Sequence, residues 1–162
     1  MEPRIEKLNE IKLAGKRMKV SFAGNKTREL WQSFMPRRKE IKNQIGAGRY
    51  SVEIYNNTEF FKNFNPSSEF EKWAAVRVND YDDLPAEMET LTIPAGKYAV
   101  FIYKGKPSEA AETYRYIFTN WLPDSEFVLD DRPHFALMGE KYKGEDPDSE
   151  EELWIPVKEK SK

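Results

Sequence analysis

Side chains that could carry out catalysis are few in this sequence. The 162 residues include one histidine and no cysteine, which excludes disulfides, thiolate metal sites and cysteine nucleophiles. His134 follows Pro133, and the sequence offers it neither a second histidine for a metal pair nor a serine at the spacing of a nucleophile elbow. We therefore interpret His134 as a structural residue, and we expect neither a metal ion nor a cofactor.

Three other segments resemble functional motifs but lack an essential part of each. Gly46-Ala47-Gly48 has no third glycine and no strand-turn-helix context, so it predicts a helix end and not a dinucleotide site. The acidic run at 145–152 (EDPDSEEE) misses the spacing of a calcium loop and is typical of a charged hairpin loop. The basic run at 37–39 (RRK) favours a solvated helix face.

Aromatic side chains are the unusual chemical feature of the sequence. They make up 14% of the chain, as 4 Trp, 8 Tyr and 10 Phe, which is more than a core of this size requires. Aromatic faces bind flat apolar groups and, through their ring quadrupoles, cations. The sequence therefore predicts a small-molecule partner that is aromatic or cationic.

Net charge and hydropathy narrow the class of protein further. With 26 Lys plus Arg against 28 Asp plus Glu, the net charge is −2, which lacks the basic excess of a general nucleic-acid binder. No apolar run approaches the roughly 18 residues of a membrane span, and the N-terminal stretch lacks the apolar core of a signal peptide. We expect a cytoplasmic protein that contacts neither a membrane nor nucleic acid directly, and we leave its oligomeric state open.

Hydrophobic periodicity defines the elements that must position these side chains. The predicted order is a polar leading segment (1–16), a strand (17–23), a helix broken at Pro36, strands at 49–55 and 70–78, a linker (79–87), a strand (96–103), a helix (108–122) closed by Pro123, strands at 133–142 and 151–157, and a tail (159–162). A single domain over 17–158 accounts for these elements.

The predicted elements repeat. Each half, 17–79 and 88–158, reads strand, helix with a Trp, strand, strand, and the last strands share Glu71-Lys72-Trp73 and Glu152-Leu153-Trp154. Because each half is too small to bury its apolar face alone, the halves should pack side by side. We predict an α+β fold with a pseudo-twofold duplication of a strand-helix-strand-strand unit and a ligand groove between the halves.

Strand alternation sorts the candidate binding residues by face. The aliphatic face of the last strand, Leu153 and Ile155, should lie under a helix, which leaves the other face for the groove. We assign to that helix-free face Ala136, Met138 and Trp154, their repeat equivalents Glu53, Tyr55 and Trp73, and also Phe101 and Tyr103. The alternative is that these aromatic residues belong to the core or to an interface.

Several long segments of the chain resemble a known family. They are 30–41 (LWQSFMPRRKEI), 70–78, 96–105 (GKYAVFIYKG), 121–123 (WLP), 131–135 (DRPHF) and 151–158 (EELWIPVK), and they are similar to the gyrase-inhibitor-like (GyrI-like) domain, also called the AraC-type effector-binding domain. The resemblance implies a duplicated β-α-β-β fold and a groove that binds amphipathic, often cationic, molecules. In transcription regulators this domain follows a helix-turn-helix. Here the predicted fold uses all 162 residues, so we expect a stand-alone version.

One position departs from the family pattern. The family commonly has an acidic residue directly after the Phe of its His-Phe pair, and here that position is Ala136, either by natural divergence or by a deliberate Glu→Ala change. The resemblance implies three alternatives: a drug-binding protein, a hydrolase of cyclopropane-containing DNA-alkylating compounds, or a gyrase inhibitor. In the hydrolase, the catalytic carboxylate at position 136 is missing, and Glu53 is the remaining candidate.

Overall fold

The computed structural model describes residues 2–62 and 64–161, and a large antiparallel sheet dominates that part of the chain. Its strands are β1 (Arg4–Leu8), β2 (Ile11–Val20), β3 (Arg49–Ile54), β4 (Phe70–Val78), β5 (Glu89–Ile93), β6 (Gly96–Lys104), β7 (Phe127–Leu129), β8 (His134–Met138) and β9 (Glu150–Glu159). Helix α1 (Thr27–Phe34) follows β2, and a second helical segment that begins at Pro107 follows β6.

Strands β3 and β8 occupy the centre of the sheet. The order is β1-β6-β9-β8-β3-β4-β2-β5, and β7 pairs separately with β9. The central six strands run β6-β9-β8 on one side and β3-β4-β2 on the other, so the helix-bearing units meet at the β3–β8 pair. The edge strands cross over, because β1 pairs with β6 and β5 pairs with β2. Each half therefore supplies the edge strand of the other.

The start of the sheet differs from the sequence prediction. Residues 1–16 are not a segment that precedes the first strand, since they contain β1 and the first part of β2. The predicted strand at 17–23 is shifted, because β2 ends at Val20. Three of the five residues of β1 are charged, as an edge strand exposed to solvent permits, so the segment has the composition of a polar loop. Strands β5 and β7 were also not predicted.

Pro36 explains where α1 ends, and the second helical segment changes its helix type along its length. Pro36 removes a backbone donor, and α1 gives way to a 3₁₀ turn at Met35–Glu40. The second segment passes from a 3₁₀ turn (Pro107–Glu109) through α2 (Ala111–Tyr116), a π-helical turn (Ile117–Trp121) and α3 (Leu122–Asp124). Such π turns are rare, and they are frequent at functional sites.

Both helical segments cover the same face of the sheet. Leu30 and Phe34 of α1 pack on Ala74 and Val76 of β4. The second segment packs on β6 and β9 through a cluster that includes Ile117, Phe101, Leu153 and Ile155. We call this the helix side.

The opposite, helix-free side holds a third apolar cluster, to which β2, β3, β4, β5, β6, β8 and β9 all contribute and no described helix does. Because its side chains are buried without helical cover, the sheet must curve around them.

Register supports the predicted relation between the halves. Val52 pairs with Trp73 across β3 and β4, as Phe135 pairs with Trp154 across β8 and β9. These matched pairs agree with the predicted equivalence of the two halves. The α+β class is confirmed, whereas the duplication of the sequence stays a prediction.

Candidate functional site

The candidate site is a groove on the helix side, above the β3–β8 pair and between the two helical segments. Helix α1 packs on β2 and β4, and the second segment packs on β6 and β9, so neither lies over the central strands. Register places Arg49 opposite Met138, Ser51 opposite Ala136 and Glu53 opposite His134. Since Tyr50, Val52 and Phe135 belong to the helix-free cluster, alternation turns these six residues toward the groove. We call this the central groove.

An ion pair lies at the floor of the central groove. Lys72 Nζ on β4 donates to Glu53 Oε1 on β3 at 2.8 Å. The exposed fractions of the two side chains are 11% and 13%, so the pair is shielded from bulk solvent. The Glu53 carboxylate is thus already occupied by an ammonium group of the protein.

Aromatic rings close one end of the central groove. Tyr55, directly after β3, meets the His134 ring nearly at a right angle with centroids 4.9 Å apart. Phe61, in the loop between β3 and β4, stacks on Phe118 of the π turn at 4.1 Å. Burial, and then the positive charge of Arg132, lowers the pKa of His134 to about 3. The imidazole is therefore neutral at physiological pH, which makes it a hydrogen-bonding group and not a charge.

Two acidic groups meet under α2. Burial raises the pKa of Tyr114 well above its usual value, and the nearby carboxylates of Glu53 and Glu151 raise it further. Burial raises the pKa of the Glu151 carboxyl to about 7; Glu53 adds to the shift and Lys72 opposes it. In the sheet, Glu151 lies opposite Tyr103 and on the same face of β9 as Leu153, which is the helix side. Glu151 can gain or lose a proton near neutral pH.

Several polar groups of the central groove have no hydrogen-bond partner among the described residues. They are the hydroxyls of Tyr55 and Tyr114 and the carboxyl of Glu151, and all three side chains are partly buried. Polar groups of this kind among aromatic side chains are a common feature of ligand sites.

The prediction that Trp73 and Trp154 share a face with Ala136 is wrong. Both tryptophans lie in the helix-free cluster, with 3% and 6% of their surface exposed. Each indole N–H donates to the glutamate two residues earlier, Glu71 at 2.8 Å and Glu152 at 3.0 Å.

Alternation correctly groups residues along one strand, but the prediction assigned β8 to the wrong side of the sheet. Phe135, which we placed under a helix, instead stacks on Trp154 at 5.2 Å. Ala136 pairs with Leu153 and packs in the cluster beneath the second helical segment.

The remaining predicted residues lie on the helix side and not on a helix-free face. Glu53, Tyr55, Ala136 and Met138 are brought together at the central groove, as described above. Phe101 is fully buried, and its ring meets Trp121 edge-on at 5.2 Å.

Phe101 is therefore a core residue. Tyr103 lies opposite Glu151 in register and donates its hydroxyl to the carbonyl of Lys106, so it borders the groove. The binding roles of these residues stay predictions.

Sequence reasoning missed Lys72, Tyr114 and Glu151. Lys72 directly precedes the apolar run 73–76 (WAAV), and a lysine at a buried strand position is a signal for an ion pair. Tyr114 lies within the predicted helix (108–122), and Glu151 lies both in the acidic run and at the start of the predicted strand (151–157), but neither was singled out as a site residue. Neither role could be inferred before the helix was placed over the sheet.

A curved antiparallel sheet with two helical segments on one face and a groove between them is the fold of a small-molecule-binding domain. The chain belongs to the family of the GyrI-like small molecule binding domain, whose family model matches residues 1–158. This confirms the resemblance.

Similar proteins include a regulator and two solved structures. The transcriptional regulator BrlR of Pseudomonas aeruginosa is 28% identical over 158 residues, which are 97% of this chain and 56% of BrlR. The chain thus spans about half the length of BrlR. SAV2435 bound to tetraphenylphosphonium is 18% identical with a TM-score of 0.68, and covers 98% of this chain and 94% of its own.

The second solved structure, a hydrolase encoded by lin2189 from Listeria innocua, is 12% identical with a TM-score of 0.60, and covers 97% of this chain and 92% of its own. At these identities the two structures support the fold alone.

Two features are absent from the described residues. No helix there is long and apolar enough to cross a membrane. In the same residues, no group of three or more His, Cys, Asp or Glu side chains could hold a metal ion.

Proposed function

We propose that the central groove binds an amphipathic small molecule, with aromatic surface against Tyr55, Tyr114 and Phe118 and a polar or positive head near Glu151. The observation that carries this proposal is the cluster of aromatic rings at the central groove, in which Tyr55 lies against His134 and Phe61 stacks on Phe118. Family membership supports it, and the tetraphenylphosphonium bound to SAV2435 gives a probe of the right chemistry.

The charge balance of the central groove favours aromatic contact over net charge as the main source of affinity. Lys72 neutralises Glu53, and Arg49 lies within 4.0 Å of Met35 Sδ at the α1 edge. A neutral aromatic compound of similar shape should therefore also bind, although with lower affinity than the cation. Contact of a cation with aromatic faces contributes about 0.5–2 kcal/mol, depending on desolvation.

Calorimetric titration with tetraphenylphosphonium tests the location of the site. Tyr114→Ala should weaken binding about 5- to 100-fold, the loss expected for an aromatic anchor worth roughly 1–3 kcal/mol. Tyr116→Ala, an exposed tyrosine of the same helix, is the matched control and should leave affinity unchanged. Trp154→Phe, on the helix-free side, should also leave it unchanged. Equal losses in Tyr114→Ala and Tyr116→Ala would contradict the proposed site.

A hydrolase is the second candidate function. One observation favours it: Glu151 has a pKa of about 7, which suits a general base that activates water. Because Glu53 is already occupied by Lys72, Glu151 replaces it as the candidate base, and Ala136 leaves the family position without a carboxylate. Product analysis with a cyclopropane-containing electrophile tests this function. Turnover that Glu151→Gln abolishes and Glu150→Gln preserves would support it, and binding without product would refute it.

The proposal also concerns the cellular location of the protein and its macromolecular partners. We also propose a cytoplasmic location, and the net charge of −2 supports a protein without direct contact to nucleic acid. No feature of the described residues favours gyrase inhibition, and we do not propose it.

A further inference from the structure

We propose that Phe61 is an intramolecular competitor for the aromatic face of the central groove: in the free protein its ring covers Phe118, and an aromatic ligand binds by displacing it. The inference rests on the proposed function, since it concerns how a ligand reaches the same groove. It adds a conformational step and names the part of the chain that moves. This part is segment 56–62, in the loop between β3 and β4, and we call it the strap.

The ring of Phe61 lies flat on the ring of Phe118. Their centroids are 4.1 Å apart and their planes differ by 11°, and in the described part of the chain no two aromatic rings lie closer. Phe61 follows β3, whereas Phe118 belongs to the π turn of the second helical segment, so the contact joins the two halves of the fold. Since the proposed function assigns the face of Phe118 to the ligand, Phe61 occupies a surface that the ligand needs.

A third ring does not fit between Phe61 and Phe118. Stacked aromatic rings have centroid separations of about 4.5 Å or more, so a ligand ring between the two phenylalanines would need them about 9 Å apart. The observed separation is 4.1 Å. Phe61 must therefore move by roughly 5 Å, or leave the face of Phe118 altogether, before an aromatic group can lie there.

Hydrogen bonds hold the strap to itself and not to the rest of the fold. Among the described residues, its hydrogen bonds all stay inside it: the amides of Phe60 and Lys62 donate to the carbonyls of Asn57 and Glu59 at 3.4 Å and 3.0 Å, and the remaining bonds join Asn57, Glu59 and Lys62. Contacts between rings are what attach the strap to the rest of the protein.

The strap can therefore move without disturbing the sheet. Strand β3 ends at Ile54 and β4 begins at Phe70, so both strands keep their pairing when the strap leaves Phe118. Asn56, Asn57 and Lys62 are exposed to solvent. A segment with exposed backbone and few contacts to its surroundings opens at low free-energy cost.

The stack on Phe118 lowers the apparent affinity for an aromatic ligand. A pair of stacked aromatic rings changes an equilibrium constant by about 2- to 10-fold. Because apparent affinity scales with the fraction of molecules in which the site is open, removing the competing ring should strengthen binding by a similar factor. A residue that instead closes over a bound ligand would have the opposite effect, since its loss would weaken binding.

Titration with tetraphenylphosphonium distinguishes these two roles. Phe61→Ala should bind it about 2- to 10-fold more tightly than wild type, and stopped-flow fluorescence should place the gain in the association rate constant and not in dissociation. Phe64→Ala is the matched control, because Phe64 lies in the same loop, is 46% exposed and has its ring contacts with Phe22 and Phe60; it should match wild type. Phe61→Leu removes the flat face but keeps an apolar side chain, so it should show part of the gain and serves if Phe61→Ala does not fold.

Hydrogen exchange followed by mass spectrometry reports the position of the strap directly. In wild type, a peptide that covers 56–62 should exchange faster with saturating tetraphenylphosphonium than without it, because the displaced strap loses its ring contacts. In Phe61→Ala the same peptide should exchange fast in both conditions. A lid that closes on the ligand would slow exchange in the complex.

The outcomes separate the two proposals. If neither wild type nor Phe61→Ala binds tetraphenylphosphonium, the proposed function fails and this inference fails with it. If wild type binds and Phe61→Ala binds equally well or more weakly, the competitor role of Phe61 is overturned while the proposed function stands. Slower exchange of the strap in the wild-type complex would overturn that role as well. Binding by Phe61→Ala alone would support both proposals.

Discussion

Replacing His134 with phenylalanine should make the protein less sensitive to acid. His134 is 8% exposed, lies against Tyr55, Phe61 and Phe118, and has its pKa lowered from 6.5 to about 3 by burial and then by Arg132. Phenylalanine keeps a ring in this aromatic cluster and cannot take a proton. The quantity compared is the change in the free energy of unfolding between two pH values, so an effect of the substitution on packing that does not depend on pH cancels.

The size of the effect follows from linkage. A basic group whose pKa is lowered on folding contributes fully to stability above its unfolded pKa of 6.5, and that contribution is lost as pH falls toward 3. At pH 5, about 1.5 units below the unfolded value, wild type should have lost about 2 kcal/mol from this one residue. His134→Phe should lack this loss between pH 7.5 and pH 5. Glu151 and other acids contribute equally to both proteins.

His134 is the one histidine of the chain, so its titration can be followed by NMR without overlap from other histidines. The imidazole C2 proton should give a single NMR resonance, which should not titrate between pH 7.5 and pH 5 in the folded protein. Urea unfolding at the two pH values gives the free energies. A resonance that titrates near pH 6.5, or equal stability losses in wild type and His134→Phe, would refute the buried neutral imidazole.

Two further predictions concern carboxyl groups. The pKa of Glu151 is raised to about 7, so its ionisation destabilises the fold progressively above pH 4.5 and fully above pH 7; Glu151→Gln should stabilise by about 1–2 kcal/mol at pH 8 after allowance for solvent screening and by nothing at pH 4, measured by urea unfolding. Ala136 is 5% exposed and packs beneath the second helical segment, so an ionised carboxylate at this position should cost stability, and Ala136→Glu should be less stable than Ala136→Gln at pH 8 by more than it is at pH 4, measured by urea unfolding; equal differences at the two pH values would contradict the burial of position 136.

The fold class was accessible from sequence because long strands with clear alternation and two proline-terminated helices leave few arrangements. Residues 70–78, with aromatic and β-branched residues bounded by polar loops, and 108–122, with apolar residues at helical spacing up to Pro123, are examples. The edge strands were not accessible in the same way. An edge strand such as β1 pairs its backbone with a neighbour along one edge only, and its side chains are exposed to solvent. Its residues are therefore largely charged, and hydrophobic periodicity does not reveal the strand.

The candidate site was only partly accessible, for a physical reason. Alternation groups Glu53 with Tyr55, and Ala136 with Met138, because side chains two apart on a strand share a face. It does not decide which face the helices cover. That choice depends on where α1 and α2 find complementary apolar surface, and small residues such as Ala74 and Ala136 allow close packing that a pattern of hydrophobicity does not reveal.

The charge that faces a ligand in the central groove comes from more than one residue. Lys72 pairs with Glu53, so these two charges largely cancel. Arg49 projects from β3 toward the same groove and stays charged at physiological pH, whereas Glu151 gains or loses a proton near pH 7. Below that pH the groove is therefore net positive, and above it Glu151 offsets Arg49. Neither state gives the groove a net negative charge, so affinity for an amphipathic cation has to come mainly from contact with aromatic faces, as the proposed function requires.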